Sequence, residues 1–223
     1  MTFFETLARD TLDERNRFLA IPQIVDGLAG RISRETYVAY LTQAYHHVSH
    51  TVPLMRLALS RLGPSHAFFA RALEGYIAEE TGHEQWILDD IGHCGGNRAD
   101  AAASAPTAAT SAMIAHAYDV VGKRNPMGLF GMIFVLEGVS IALASQGAAR
   151  LAVGLGLGPE CFSYLTSHGA LDQDHMAFFQ GLMTEVNDPA DQEAIVQMAR
   201  RMFDLFGDLF RSIPHGRSIV HAV

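Results

Sequence analysis

The sequence predicts an all-α fold, a bundle of long helices, on three observations. Apolar residues recur at helical spacing through almost every segment between turns. No stretch shows the strict alternation of a half-buried strand. Gly, Pro and Asn fall where helices would start and stop, as in Gly63-Pro64-Ser65, Asn125-Pro126 and Asn187-Asp188-Pro189.

Taken in order, Thr2 to Leu19 places Phe3, Leu7, Leu12 and Phe18 on roughly one face. Ser33-Arg34-Glu35 reads as an N-cap opening a long helix to about Leu62. The next helix runs from Gly63-Pro64-Ser65 to Ile91. Gly92 to Thr110, rich in Gly, Ala and Ser, reads as a long mobile loop. Further helices are expected over Ser111–Lys123, Met127–Leu151, Pro159–Met183 and Pro189–Phe210. There is no repeat and no linker, so residues 1–223 read as one helical domain, with 213–223 a tail leaving the bundle.

Composition narrows the partners. The 223 residues are 49% hydrophobic and 18% charged, the balance of a folded globular chain. Sixteen basic against 24 acidic residues give a net charge of −8, which argues against nucleic acid or an anionic membrane as partner. Cys94 and Cys161 lie far apart and form no CxxC, as in a reducing, cytoplasmic compartment. The opening Met1-Thr2-Phe3-Phe4-Glu5 lacks a basic segment followed by an apolar one, so no signal peptide is expected. The apolar run Met127 to Ala144 carries Glu137 near its middle, which reads as a buried core helix rather than a membrane span.

Chemistry concentrates in three segments. In His168-Gly-Ala-Leu-Asp172-Gln-Asp174-His175, a helical step of about 100° brings His168, Asp172 and His175 within roughly 40° of one another, while Asp174 points about 120° away from His168. A lone histidine is usually a core or surface side chain. Two imidazoles and a carboxylate on one face form a metal-binding arrangement. The second segment, Glu79-Glu80-Thr81-Gly82-His83, places Glu80 and His83 at i, i+3. Carboxylate-x-x-His is the recurring unit of dinuclear carboxylate sites in bundles, and Asp172-Gln-Asp-His175 repeats it. Glu79, at i, i+4 from His83, is a spare ligand. The third is Glu137, with no basic residue between Arg124 and Arg150. A buried carboxylate must be compensated by protonation, a distant arginine or a metal. The two carboxylate-x-x-His units make metal the best of these.

Glu80, His83, Glu137, His168, Asp172 and His175 exceed what one zinc ion needs and suit two first-row ions. Nitrogen and oxygen donors without thiolate favour iron, with manganese as the alternative. The lone Glu expected on the preceding helix of a ferritin-like site is missing, since Arg34–Leu62 offers only Glu35, at its start. His168 takes its place.

This ordered set resembles the haem-oxygenase-like di-iron oxidases, iron-containing redox enzymes of the superfamily that also holds thiaminase-2 and PQQ-synthase-like proteins. The motifs look closest to the branch containing the alkene-forming fatty-acid decarboxylase, and the similarity spans about Arg34 to Met183. It implies a seven-helix haem-oxygenase-like bundle holding two ferrous ions on Glu80, His83, Glu137, His168, Asp172 and His175, with Glu137 and His168 at the reacting centre. It implies activation of O2 toward a small carboxylate- or amine-bearing organic substrate, an external electron donor, and a homodimer. Where some relatives carry the first carboxylate seven residues before the histidine, this chain has Tyr76, so Glu80 is taken as the ligand.

The remaining candidates have plainer readings beside functional ones. Tyr45, His47 and His50, with His46, offer support of the ligands or contact with substrate, against packing and surface hydrogen bonding. Phe134 reads as core that can also line a substrate pocket. Cys161 and His168, at i, i+7, are too little for a nucleophile–base pair. Asp204 and Asp208 read as a solvated face. Two rival functions use the same scaffold: a non-catalytic iron binder, and a metal-free thiaminase-2- or PQQ-synthase-like enzyme.

Overall fold

Helical period and turn chemistry produce a wholly helical chain in the computed structural model, which describes residues 1–216, except for the side chains of residues 168–174. The helices are α1 (Phe3–Asp10), α2 (Leu12–Leu19), α3 (Pro22–Leu28), α4 (Arg34–Val48), α5 (Thr51–Arg61), α6 (Ala67–Glu80), α7 (His83–His93), α8 (Arg98–Ala103), α9 (Ala108–Lys123), α10 (Leu129–Leu155), α11 (Ser163–Thr184) and α12 (Pro189–Ser212). Short 3₁₀ turns at Pro64–His66, Pro126–Gly128 and Pro159–Cys161 carry the prolines that start the following helices.

The expected seven rods are cut into more pieces. The helix read as Arg34 to Leu62 breaks at Ser49-His50, and the one read to Ile91 breaks at Thr81-Gly82. Gly92–Thr110 is not one long loop: Asn97 caps α8 through its side chain, and Thr107 caps α9. The tail does not leave the bundle at Ile213. Ile213 is buried, the Gly216 carbonyl accepts from the Ser33 amide, and the Thr36 hydroxyl donates to the Pro214 carbonyl. A polar, Pro- and Gly-containing segment reads as solvated from sequence, but here its backbone groups find partners on the α3–α4 connection.

α10 is the central rod. Its apolar residues face α11, α12 and α3, and Gly131 lets the α12 backbone at Ile195 and Ala199 approach so closely that a Cβ would collide. α10 with the turn before it is long and apolar enough to cross a membrane, but 56% of its most apolar window is buried against other helices. The core continues through Phe130, Phe179 and Met183, and through the Phe18–Phe206 stack at 5.3 Å. A second cluster, with Tyr37, Leu41, Ile87, Ile91 and Phe162, joins α4, α7 and the start of α11.

Asp90 fixes α7 to α11. No side chain of its own segment caps α11, so the Asp90 carboxylate of α7 accepts from the Ser163 amide at 3.0 Å, the Ser163 hydroxyl, and the Tyr164 amide at 2.9 Å. Burial pushes the Asp90 carboxyl up, against the pull of these hydrogen bonds. The helices that carry His83 and His175 are thereby held together at one end.

Candidate metal centre

Glu80 is the last residue of α6 and His83 the first of α7. The helix breaks between them because Gly82 adopts φ +96°, which an L side chain rarely tolerates. The i, i+3 neighbours therefore meet across a kink rather than along one rod: His83 Nδ1 lies 3.0 Å from Glu80 Oε2, and both side chains are buried. The Trp86 indole stacks on the His83 imidazole with centroids 4.1 Å apart, which fixes the ring plane.

Glu137 and His175 face each other from α10 and α11. Oε1 of Glu137 is 3.6 Å from Nδ1 of His175, and their side chains are only 12% and 10% exposed. This separation is too long for a hydrogen bond. The other imidazole nitrogen, Nε2, hydrogen-bonds Glu79 Oε2 at 2.7 Å, and the Tyr76 ring packs edge-on against the imidazole at 5.4 Å. Adjacent carboxylates thus take different partners: Glu80 meets His83, and Glu79 reaches from a largely exposed position to hold His175. Glu80 and Glu137 both line one cavity of about 650 Å³ including its open mouth, with Met132, Ile133, Leu54 and Met55 among its apolar walls.

Of the six residues expected as ligands, Glu80, His83, Glu137 and His175 are brought into two buried carboxylate–imidazole contacts. His168 and Asp172 lie on α11, outside the described side chains. Among the described residues, no three His, Cys, Asp or Glu side chains stand together as a ready-made metal cluster. The donors nevertheless fit a hard or borderline cation. Two ligands about 2.1 Å from one ion sit roughly 3.0–3.5 Å apart, close to both separations seen here. Glu79 on the outer nitrogen of His175 is the carboxylate that commonly orients a ligating imidazole.

The histidines of α4 and its end diverge. His47 is buried and lines the cavity beside Glu80, with its ring edge-on to Phe206 at 5.6 Å. His50 Nδ1 meets the Tyr118 hydroxyl at 3.1 Å, and His46 Nε2 meets the Ser104 hydroxyl at 2.9 Å. Burial holds both His46 and His50 below the ordinary imidazole value. His50 therefore ties the α4–α5 junction to α9 and is not among the residues lining the cavity. Tyr45 lies on the other side, in a surface depression with Arg56, Gly82 and Gln85. Phe134 is core: it packs on Phe4 and Phe179 at 6.0 and 6.2 Å and lines neither apolar cavity, because it projects toward α1.

Trp86 and Ser140 were not singled out from sequence, and Glu79, read there as a spare ligand beside His83, meets His175 instead. Glu79 orients His175, Trp86 stacks on His83, and Ser140 lines the cavity one turn beyond Glu137. Ser140 carried a signal, being polar at i+3 from the one carboxylate of an apolar helix.

An all-helical bundle with buried carboxylate–imidazole pairs on its central helices is an architecture of the haem-oxygenase-like class. The profile of a haem-oxygenase-like family described as iron-containing redox enzyme matches residues 38–207, and the chain belongs to that family. Solved structures share the fold. A domain of unknown function with a haem-oxygenase-like fold from Shewanella denitrificans is 22% identical, with a TM-score of 0.84 over 93% of this chain and 90% of that one. A TenA homologue from Pseudomonas syringae is 14% identical, with a TM-score of 0.80 over 94% and 91%. Haem oxygenase-1 from the cyanobacterium Synechocystis, in complex with haem, is 14% identical, with a TM-score of 0.74 over 95% and 91%. No curated protein matches the chain.

Proposed function

We propose that this protein is a non-haem di-iron oxidase or oxygenase that activates O2 toward a small organic substrate. The observation that carries the reading is the buried Glu137–His175 approach at 3.6 Å, with Glu137 lining a cavity that Glu80 also lines. Two buried carboxylates lining one cavity, each beside an imidazole, are groups that a bound cation would stabilise. Glu80, His83, Glu137 and His175, with His168 and Asp172 from α11, would hold two ferrous ions, or manganese in their place. When bound, the ions supply the redox chemistry with O2. The protein's own part is to keep the imidazoles oriented through Glu79 and Trp86, and to exclude water with the apolar walls. Glu137 and His168 are assigned to the reacting centre. We assign the alkene-forming decarboxylase branch only as the nearest motif match. An external electron donor, a cytoplasmic setting, a homodimer, and no nucleic-acid or membrane partner complete the reading.

The test is anaerobic reconstitution with ferrous iron, counting bound metal in wild type and in Glu137→Ala. Two ions per chain falling to one or none is the expected result. A wild type that retains no iron overturns the reading.

A second reading is favoured by the likeness to a TenA homologue over nearly the whole chain. On that reading the enzyme is metal-free and acts on thiamin fragments or a quinone precursor. It predicts full activity after exhaustive chelation and tolerance of His168→Ala. A non-catalytic iron binder would instead take up iron without any substrate-dependent reaction with O2.

A further inference from the structure

A second chamber abuts the cavity beside Glu80 and Glu137. His47, Leu136, Ser140 and Tyr164 line both, and the second is of about 900 Å³ including its open mouth. α10 floors both chambers. Met132, Leu136, Ser140, Ala144 and Leu151 follow one stripe along it, about 28 Å from end to end at 1.5 Å per residue. Beyond Ser140 the walls are mostly apolar, with Leu143, Ala144, Leu165, Phe206 and Phe210 among them, and Gln23, Thr36 and Tyr37 interspersed. Among the described residues, no Asp, Glu, Lys or Arg lines this far chamber.

Three polar side chains, His47, Ser140 and Tyr164, meet at the waist shared by the two chambers. The Ser140 hydroxyl is buried with no hydrogen-bond partner among the described residues. Desolvation pushes the nearby Tyr40 phenol up to about 12, so Tyr40 stays protonated. His47 is 4% exposed beside them. A buried hydroxyl left without a partner is costly, and a ligand oxygen at this position would relieve it.

We propose that the two chambers form one binding site for an elongated, mostly apolar substrate whose single neutral polar group rests at the waist on Ser140, Tyr164 and His47. The waist lies about 5 Å, three residues, along α10 from Glu137. A short hydrocarbon end is then presented to the carboxylate–imidazole centre, and the longer apolar body fills roughly 16 Å of chamber toward Leu151. Among the described residues the far chamber offers no counter-ion, so a charged group is disfavoured along the apolar body.

The assignment rests on Glu80, His83, Glu137 and His175 being the reacting centre. Its test uses no iron, so it stands or falls apart from that reading. The probes are decanol isomers and shorter homologues, bound to the iron-free full-length chain and measured by ligand-observed NMR. 4-Decanol should bind about tenfold tighter than 1-decanol, the difference made by one satisfied buried hydrogen bond between molecules of equal composition. Each methylene added on the long side should tighten binding about fourfold until the chamber is full. Ser140→Ala should erase the isomer preference but keep the length dependence. Ala144→Phe should erase the gain from long chains but spare short ones, and Leu143→Ala should move the optimum to longer chains. Tightest binding by 1-decanol or by decanoate, or affinity independent of chain length, overturns the proposal. Unchanged long-chain affinity in folded Ala144→Phe and Leu143→Ala does the same, with thermal melting reporting on folding.

Discussion

His175 uses its two ring nitrogens on opposite sides: Nε2 meets Glu79 at 2.7 Å and Nδ1 faces Glu137 at 3.6 Å. With Glu79 ionised, Nε2 carries the proton and Nδ1 is left as a lone pair directed inward. The exposed carboxylate therefore selects the tautomer that ligation requires.

Glu79 is accordingly expected to control metal affinity without controlling the fold. Glu79→Ala should weaken ferrous iron binding about 10–100-fold, and Glu79→Gln, which retains an acceptor without charge, should weaken it less. Because the side chain is 60% exposed, thermal stability of the iron-free variants should stay near wild type. Competition against a chelator of known affinity reads the first effect, and melting of the iron-free proteins reads the second. Unchanged iron affinity in Glu79→Ala would remove Glu79 from the site.

Gly82 sets the angle between Glu80 and His83. At φ +96°, an added Cβ meets no neighbour, so the cost of Gly82→Ala is conformational, on the order of 1–2 kcal/mol. Either the variant pays that cost and melts earlier, or the α6–α7 junction straightens and Glu80 parts from His83. Denaturant unfolding separates these outcomes from a third, no change in stability or iron binding, which would show that the kink is dispensable.

The carboxylate–imidazole pairings were legible in part because side-chain spacing along a helix constrains which groups share a face. Glu80, His83 and His175 were picked out that way, and Glu137 as the one carboxylate of an apolar helix. The break between Glu80 and His83 was not, because i, i+3 neighbours stay in reach whether the helix continues or kinks at a glycine. Glu79 and Glu80 differ by one step on a helix end, and only the position of α11 decides which meets His175. The docked segment at Ile213–Gly216 was missed for a related reason: its partners, Ser33 and Thr36, lie some 180 residues away in sequence, as the Gly216–Thr36 contact illustrates. Local polarity cannot report a long-range hydrogen bond.

Asp90 gives a pH dependence with a defined sign. Burial raises its folded-state pKa above the unfolded one, so over the window between them the folded chain binds more protons than the unfolded chain. The stability Asp90 contributes is fully present below the unfolded value and declines as pH rises through the raised folded value. Asp90→Asn offers one acceptor and an NH2 where three donors converge, and should cost about 1–3 kcal/mol at neutral pH. The gap between wild type and variant should be wider at pH 3.5 than at pH 7, as read by urea unfolding at each pH. A gap that widens with rising pH would reverse the assigned shift.

The C-terminal segment should be a stable part of the wall of the far chamber rather than a loose end. Thr36 is buried; its hydroxyl donates to the Pro214 carbonyl at 2.9 Å and accepts from the Gly216 amide at 3.0 Å, while His215 Nε2 meets Asp26 Oδ2 at 2.9 Å. Ile213 and Thr36 both line the chamber, so the same bonds that dock the segment also close that side of the cavity. Thr36→Val keeps the shape and removes both hydroxyl bonds, leaving a carbonyl and an amide without their partner, at about 1–3 kcal/mol. Limited proteolysis should then cut after residue 212 well before the rest of the bundle, and amide exchange at Gly216 should accelerate while exchange in α10 stays slow. Equal protection of Gly216 in Thr36→Val and wild type would mean that the segment is held by contacts other than these.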